Sequence, residues 1–445
     1  MASITNSRAV RDAPRRPNPG HPSLRRTAAL AALLALSLVA GQTLAQAQAQ
    51  PPPPGQDVAS LHAWLRTHNP ELRALAAEAE AARARIQPAG ALPDPSASIA
   101  FRELDPDRPW RIPGADGEIV YSLRQRFPLW GKRALARTAA RQVASAAELD
   151  RDAVVRELLA EAETAYVRYW HADQAIAVLD RRIALLRQVE EIAGVRYALG
   201  LAAQQDAILA QVEQTRMQRE RIERLASKRE ATAALNAVLG RPADAPLAPP
   251  AAPPALPVRS EGLPDALREL QQGEHPAIEA QQARAAAART SVELQRRNRY
   301  PDLTLGVGAM QREDGLDSME LMLEVEIPFQ QRARRERERE SRLLEDAALA
   351  RLEGTRTALA GQVATAWTQW SSAHERRELT EKTLLPQADA AFKSALASYQ
   401  VGEVDFGTLL EALNQWQGAD LDRVDALRDE LLGAAAVRAI EGATP

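Results

Sequence analysis

Two kinds of hydrophobic pattern alternate along the chain, and the longer one predicts helices. Between Leu129 and Tyr197, apolar residues recur at spacings of three and four without a proline, which is typical of a single long helix. At about 1.5 Å per residue, a helix of that span is about 100 Å long. The segment from Phe329 to Tyr399 repeats the pattern but contains Pro386, which predicts a kink. A shorter helix is predicted after each long one, over residues 203–239 and 403–439.

The second pattern has a period of two and predicts β-strands. In its clearest instance, apolar side chains of one strand alternate with Glu320, Glu324 and Glu326. A sheet packed against helices would alternate in the same way, but carboxylates on one face suit a water-filled lumen better than a packed interior. The strand lengths are close to the about 9–11 residues that a tilted transmembrane strand needs. The four predicted strands lie near residues 96–103, 118–127, 302–311 and 318–327.

The same order of features occurs twice in the chain, so we interpret it as an internal repeat. Phe127 and Ile327 are 200 positions apart, Thr164 and Thr365 are 201 apart, and Tyr197 and Tyr399 are 202 apart. This drift requires only one or two single-residue insertions. The predicted units are residues 58–239 and 263–440, joined by a Pro- and Ala-rich extended linker at 240–262. The predicted fold is mainly α with a small β part.

The first 50 residues predict an export signal. Six arginines precede an apolar run from Ala28 to Ala40, and small residues suited to cleavage follow, so residues 1–49 fit a signal peptide. A single transmembrane anchor is the alternative, but the run is shorter than the roughly 20 residues that span a bilayer. No later segment offers 18 uncharged apolar residues, so we expect any part inserted in a membrane to consist of strands.

Composition argues against several other functions. The chain has no cysteine, and its net charge of −3 comes from interspersed acidic and basic residues, which does not favour nucleic acid as a partner. The sequence has no phosphate-binding glycine loop and no Ser/His/Asp order, and its six histidines lack the spacing of metal ligands. We therefore predict no enzyme activity, no catalytic residue, no cofactor and no resident metal.

Four strands cannot close a membrane barrel, since the smallest known bacterial barrels have about eight. The repeat, the paired strands and the long helices together resemble the TolC family of outer-membrane efflux proteins over nearly the whole mature chain. Local motifs agree with this resemblance, because the turns at Asn69-Pro70 and His275-Pro276 are similar to the family's proline turns. The segments Tyr197 to Gly200 and Tyr399 to Gly402 are similar to its periplasmic tips.

The resemblance implies a homotrimer in which three copies of four strands complete one twelve-stranded barrel in outer-membrane lipid. It also implies a long α-hairpin barrel extending into the periplasm. The implied function is that of a passive channel in a tripartite RND-type efflux system, served by a periplasmic adaptor and an inner-membrane pump. A periplasmic coiled-coil adaptor or scaffold without a pore is the alternative. The segment from Phe127 to Arg133 resembles the heavy-metal (CzcC- or CusC-like) branch, so the implied cargo is metal cations or small toxic compounds.

The family's functional positions carry over to a few residues of this sequence. Gly200 with Leu201, and Gly402 with Glu403, correspond to the tips where the adaptor docks. Asp206 and Glu411 correspond to carboxylates of the lumen gate, although an ordinary solvated helix face is the alternative for both. The chain departs from the family at Thr408, where many members carry a second acidic residue, and in lacking the cysteine that anchors lipid in the heavy-metal branch.

Overall fold

The computed structural model describes residues 53–102, 117–256, 262–272, 275–312 and 315–441. The predicted export signal at residues 1–49 lies outside these ranges, as do most of the loop after the first strand and residues 257–261 of the linker. All that follows concerns the compact unit from Pro54 to Pro445.

Helices and strands follow one another in nearly the same order in both repeats, apart from one short helix in the first and a π-helical turn in the second. The first repeat contains α1 (Val58–His68), α2 (Pro70–Ala84), α3 (Ile86–Ala89), β1 (Ser96–Arg102), β2 (Glu118–Phe127), α4 (Lys132–Ala198) and α5 (Gln204–Val238). The second repeat contains α6 (Leu263–Gln272), α7 (Pro276–Arg297), β3 (Asp302–Arg312), β4 (Gly315–Glu326), α8 (Gln331–Leu379), a π-helical turn (Thr380–Leu384), α9 (Leu385–Val401) and α10 (Phe406–Glu441).

The proline turns start helices in both repeats. The Asn69 side chain accepts hydrogen bonds from the N–H groups of Glu71 and Leu72, and Pro70 occupies the first turn of α2. His275 does the same for α7, since its ring accepts from the Ala277 N–H ahead of a helix that also begins with proline. Both turns follow the expected chemistry, because a side-chain acceptor satisfies free N–H groups and proline has none to satisfy.

The first long helix, α4, runs unbroken for 67 residues, or about 100 Å. The second is interrupted where Pro386 predicted a kink, and the Leu385 N–H donates to the Thr380 carbonyl five residues earlier. Thr164 and Thr365 are 201 positions apart, whereas Tyr197 and Tyr399 are 202 apart. The second repeat therefore has one extra residue in this interval, and a π turn is the usual way for a helix to hold an insertion.

The four strands form a single antiparallel sheet in the order β1-β2-β3-β4. The two hairpins, one from each repeat, are joined where β2 pairs with β3 from Ile119 opposite Gln311 to Phe127 opposite Leu303. The loop between β3 and β4 is shorter than the sequence suggested. Arg312 pairs directly with Gly315, and a bulge at Met310 and Gln311 lets both strands continue almost to the turn.

The main core lies between the helices at mid-length. Tyr166 is fully buried, and its hydroxyl donates to the carbonyls of Gln56 and Ala252. The Pro-rich linker runs alongside the first residues of the described chain, with the Ala248 N–H bonded to the Pro54 carbonyl at 3.1 Å. No helix within the described ranges is both long enough and apolar enough to cross a membrane.

Candidate functional site

One face of the sheet is an apolar surface that the described chain leaves open. Met319 and Leu321 on β4 are 79% and 80% exposed, and all four strands contribute to the surface. Such a large exposed apolar patch marks contact with lipid or another protein. A sheet packed against helices would bury these side chains, so that alternative is wrong. The other exposed members of the surface are Ile99, Phe101, Tyr121, Leu123, Leu305, Val307, Leu323 and Val325.

The opposite face is polar and carries the predicted carboxylates. The hydroxyls of Ser98 and Ser122 lie 2.7 Å apart across β1 and β2, and the same row continues through Gly308 to Glu320. Glu324 and Glu326 lie on this face of β4 as well, since they alternate with the apolar residues. Glu326 pairs with Arg126 at 2.8 Å. Glu320 and Glu324 are exposed and have no ion pair or hydrogen bond within the described residues.

A buried ion pair joins the sheet to the helices. The Lys132 ammonium, at the start of α4, donates to the Asp302 carboxylate at 2.7 Å and to the Tyr300 carbonyl at 2.8 Å. Asp302 also accepts from Arg126 at 2.9 Å, and both Lys132 and Asp302 are only 8% exposed. The sequence analysis missed this pair because it links the two repeats, and no periodicity reveals a contact across 170 positions.

The turn between β2 and α4 is fixed by Trp130 and Gly131, which both have positive φ angles of 62° and 73°. A tryptophan in this conformation is unusual and requires compensating contacts. Its indole N–H donates to the Pro301 carbonyl at 2.8 Å, and its ring packs 5.1 Å from the Tyr300 ring. Both rings remain about half exposed at the helical end of the sheet.

The predicted tip residues lie at two matching turns. Gly200 and Gly402 have φ angles of 71° and 85°, where a side chain would be strained. Each turn closes with the same backbone bond, from the Leu201 N–H to the Arg196 carbonyl and from the Glu403 N–H to the Ser398 carbonyl. This is the bond pattern with which helices often end at glycine.

Arg196 holds the two tips together. Its guanidinium donates to the carbonyls of Tyr399 and Gln400, both at 2.7 Å, and lies 4.8 Å from the centre of the Tyr399 ring. A third bond reaches the Leu201 carbonyl at 3.3 Å. Sequence analysis missed this role, since Arg196 is one of many arginines at helical spacing and its acceptors are backbone carbonyls, two of them in the other repeat.

Asp206 lies beside the tips and is hydrogen-bonded to a residue of the second repeat. Its carboxylate accepts a hydrogen bond from the Tyr399 hydroxyl at 3.2 Å. Burial and the neighbouring Asp206 charge raise the pKa of Tyr399 to about 12, so the phenol stays a donor at physiological pH. Asp206 is half buried, and its role in a gate stays a prediction.

Glu411 differs from Asp206, since it is exposed and accepts a bond from Gln415 of its own helix at 3.0 Å. No hydrogen bond or ion pair joins Glu411 to Asp206 in the part of the chain described. Thr408, where the family pattern has an acid, lies in the first turn of α10 and gives its N–H to Asp405 at 2.7 Å. Bonds from Thr408 hold the pKa of the Asp405 carboxyl below its usual value.

No group of three or more histidine, aspartate and glutamate side chains that could hold a metal ion occurs within the described ranges. What the molecule does present is an open amphipathic sheet, helices about 100 Å long and two paired tips. This combination defines a class of protein, the subunits of outer-membrane export channels.

Comparison with known proteins agrees with that class. Residues 267–443 match the family described as Outer membrane efflux protein. Protein CyaE of Bordetella pertussis is 30% identical over 389 residues, covering 83% of this chain and 81% of its own length. The chain belongs to the outer membrane efflux protein family. It is thus an outer-membrane channel protein whose helical part extends into the periplasm.

Two further likenesses concern the heavy-metal branch. The cobalt-zinc-cadmium resistance protein CzcC of Cupriavidus metallidurans is 24% identical over 286 residues, which is 64% of this chain and 67% of that protein. A solved structure of CusC superposes with a TM-score of 0.72 at 16% identity, covering 87% of this chain and 92% of the other. At that identity the structural likeness shows the fold alone, and it confirms the predicted TolC-like architecture.

Proposed function

We propose that three copies of this chain form one passive export conduit that crosses the outer membrane and the periplasm. The observation that carries the proposal is the open four-stranded sheet, with an uncovered apolar face and a polar opposite face. Four strands leave two edges unpaired, and three copies supply twelve strands, enough to close a barrel. The conduit itself has no catalytic role.

In this assembly the apolar face contacts lipid and the polar face lines the lumen with Glu320, Glu324 and Glu326. Trp130 and Tyr300, half exposed at the helical end of the sheet, suit the interface between lipid and periplasm. The buried Lys132–Asp302 pair connects α4 to β3. It therefore holds the long helix in a defined position relative to the barrel.

The tips form the periplasmic entrance. Gly200, Leu201, Gly402 and Glu403 are the docking positions for a periplasmic adaptor, and the exposed Leu199, Leu201 and Val401 provide apolar contact area. The Tyr399–Asp206 hydrogen bond and the Arg196 contacts hold the entrance closed by tying the two hairpins together. Glu411 contributes charge to the lumen near the entrance, and threefold symmetry would bring three such carboxylates together.

The cargo is delivered by an inner-membrane pump and consists of metal cations or small toxic compounds. The name of the CzcC relative, cobalt-zinc-cadmium resistance protein, supports cations. An acidic lumen face favours their passage, and a passive conduit needs no resident ligand set.

Deletion of the gene, followed by growth on graded cobalt, zinc, cadmium and hydrophobic antibiotics, tests the proposal. We expect increased susceptibility to at least one of these agents, restored by the wild-type chain. The native protein should need detergent for extraction and should then behave as a trimer. A monomer released without detergent would contradict the conduit and would instead support a periplasmic adaptor or scaffold.

A further inference from the structure

We propose that neighbouring copies join through a charge-paired seam, in which Arg102 on β1 of one copy faces Glu320 and Glu324 on β4 of the next. This inference rests on the proposed trimer and adds the residues that decide how its strand edges meet.

The two edge strands of the sheet, β1 and β4, run in opposite directions, so β4 of one copy can pair antiparallel with β1 of the next. Among the described residues, β1 and β4 each have a hydrogen-bonded neighbour strand on one side only, and all three pairings within the sheet are antiparallel. With four alternating strands, β4 runs opposite to β1. Pairing β4 of one copy with β1 of the next therefore continues the antiparallel pattern around a ring.

The cation on the β1 edge is available for a neighbour. Arg102 is exposed on the polar face, and the residue directly opposite it within the chain is Glu118. The Glu118 carboxylate is already bonded by the Arg312 guanidinium from β3, at 3.1 Å for Nε. Arg102 itself has no ion pair or hydrogen bond among the described residues.

The β4 edge carries the matching charge on the same face. Glu320 and Glu324 are exposed, and neither has a partner within the described ranges. Opposite charges on neighbouring strands stabilise their pairing, and like charges destabilise it. The arrangement thus favours β4 against β1 and disfavours two β4 edges meeting, which is how sheets avoid pairing with the wrong edge.

The displacement that a barrel imposes between copies has the size needed to bring these charges to the same level. Four strands about 4.8 Å apart span about 19 Å, and a tilt of about 35–45° displaces the next copy by about 13–19 Å, or about four to six residues along the strand. Within one copy, Glu320 is in the same row as Ser98. Arg102 lies four positions beyond Ser98, so a displacement in that direction places Arg102 opposite Glu320 or between Glu320 and Glu324.

Disulfide trapping tests the seam directly, because the natural chain has no cysteine. We would make R102C/E320C and R102C/E324C and oxidise them in membranes. Within one chain these positions are three strand spacings apart, about 14 Å, whereas a disulfide needs Cα atoms within about 7 Å. Any disulfide must therefore join two copies, and we expect at least one pair to give covalent trimers.

The matched control uses Arg124, which lies on the same face of the interior strand β2. R124C/E320C should not cross-link, since two strand spacings separate the residues both within a copy and across the seam. The proposal would be overturned if the control pair formed disulfides between copies as readily as the test pairs. It would also be overturned if the protein formed trimers but neither test pair formed a disulfide.

Charge reversal provides a second measurement. R102E should lower the fraction of trimer that resists dissociation in detergent several-fold, R124E should not, and R102E combined with E320R or E324R should recover it. If R102E leaves the dissociation-resistant fraction of trimer unchanged and the trimer still exports, the charge-paired seam is refuted, whereas the proposed conduit is not. A wild-type chain that forms no trimer would refute the proposed function itself.

Discussion

The hydroxyl of Tyr399 donates a hydrogen bond to the Asp206 carboxylate over 3.2 Å, although the two residues are 193 positions apart in the chain. It joins the end of α9 to the start of α5, and so ties the tip of one repeat to the tip of the other. Tyr197, the counterpart of Tyr399 in the first repeat, is half exposed, and its hydroxyl has no hydrogen bond within the described residues.

Removing this bond should loosen the entrance. We expect Y399F and D206A to raise single-channel conductance in planar bilayers, since a hydrogen bond to a charged group contributes about 1.5–3 kcal/mol. That is about a tenfold or greater shift toward the open state. Y197F is the matched control and should conduct like wild type. Unchanged conductance in both Tyr399 and Asp206 variants would show that the bond does not restrain the gate.

Tyr166 should contribute to stability through its hydroxyl. Y166F deprives the carbonyls of Gln56 and Ala252 of their buried donor, and we expect a loss of about 1–3 kcal/mol in the free energy of unfolding. Denaturant titration of the purified protein, with Y197F as the control, measures this loss. Equal stability of the two variants would contradict the role.

The ionisation of Tyr166 should make the free energy of unfolding depend on pH in the alkaline range. Burial raises the pKa of Tyr166 to about 12, above its ordinary value of 10.0. The folded state therefore retains the phenol proton after the unfolded state has lost it, and stability falls as the pH rises from about 10 to about 12. The slope of unfolding free energy against pH should be shallower in Y166F. An identical slope would indicate that Tyr166 titrates normally.

The buried pair between Lys132 and Asp302 should matter more than surface charges. K132M leaves a buried carboxylate without its ammonium partner, which costs about 3–5 kcal/mol in comparable pairs. We expect a clearly lower Tm for the trimer, measured by loss of circular dichroism. R335M, at an exposed arginine without a bonded partner in the described chain, should leave Tm unchanged. A Tm for K132M equal to that of R335M would argue against a structural junction.

Shortening the π turn should leave the tip in place. Thr383 is exposed and makes no side-chain bond within the described residues, so T383A should be neutral. The π turn absorbs the extra residue locally, so deleting Thr383 would restore a regular helix and keep α9 in register with α8. Phe392 and Tyr399 would then stay in the core that they share with Phe406. We expect wild-type stability in denaturant titration and wild-type conductance, and a loss of either would show that the tip requires the π turn.

The sequence predicted the regular elements well because their signals are local. Strand β2 was predicted at its observed bounds, and the start of α4 was misplaced by three residues because the Trp130-Gly131 turn also carries apolar side chains. Gly200 and Gly402 were predicted as tip positions through the family resemblance, and the left-handed conformation at each helix end explains why glycine occurs there. Pro386 predicted an interruption of the second long helix, and the drift in the repeat offsets predicted an inserted residue. Neither signal predicted that the interruption is a π turn.

The polar contacts that connect the repeats could not be predicted in this way. Arg196 bonds to carbonyl groups, which carry no sequence identity, and Asp302 pairs with a lysine in the other repeat. Asp206 was found only through the family resemblance, which gave its position and not its bond to Tyr399. Such contacts depend on how the helices and strands are placed in space, and hydrophobic periodicity does not encode that placement.

The single extra residue in the second repeat makes the two helical hairpins of one copy unequal, which limits the symmetry of a partner that can contact all tips in the same way. A ring of three copies carries six helical hairpins, and only every second one contains the π turn. The six tips also alternate in sequence, with Leu201 at one and Glu403 at the next. A threefold partner can meet every tip in the same way, whereas a sixfold ring of identical partner subunits has to engage two different surfaces in turn.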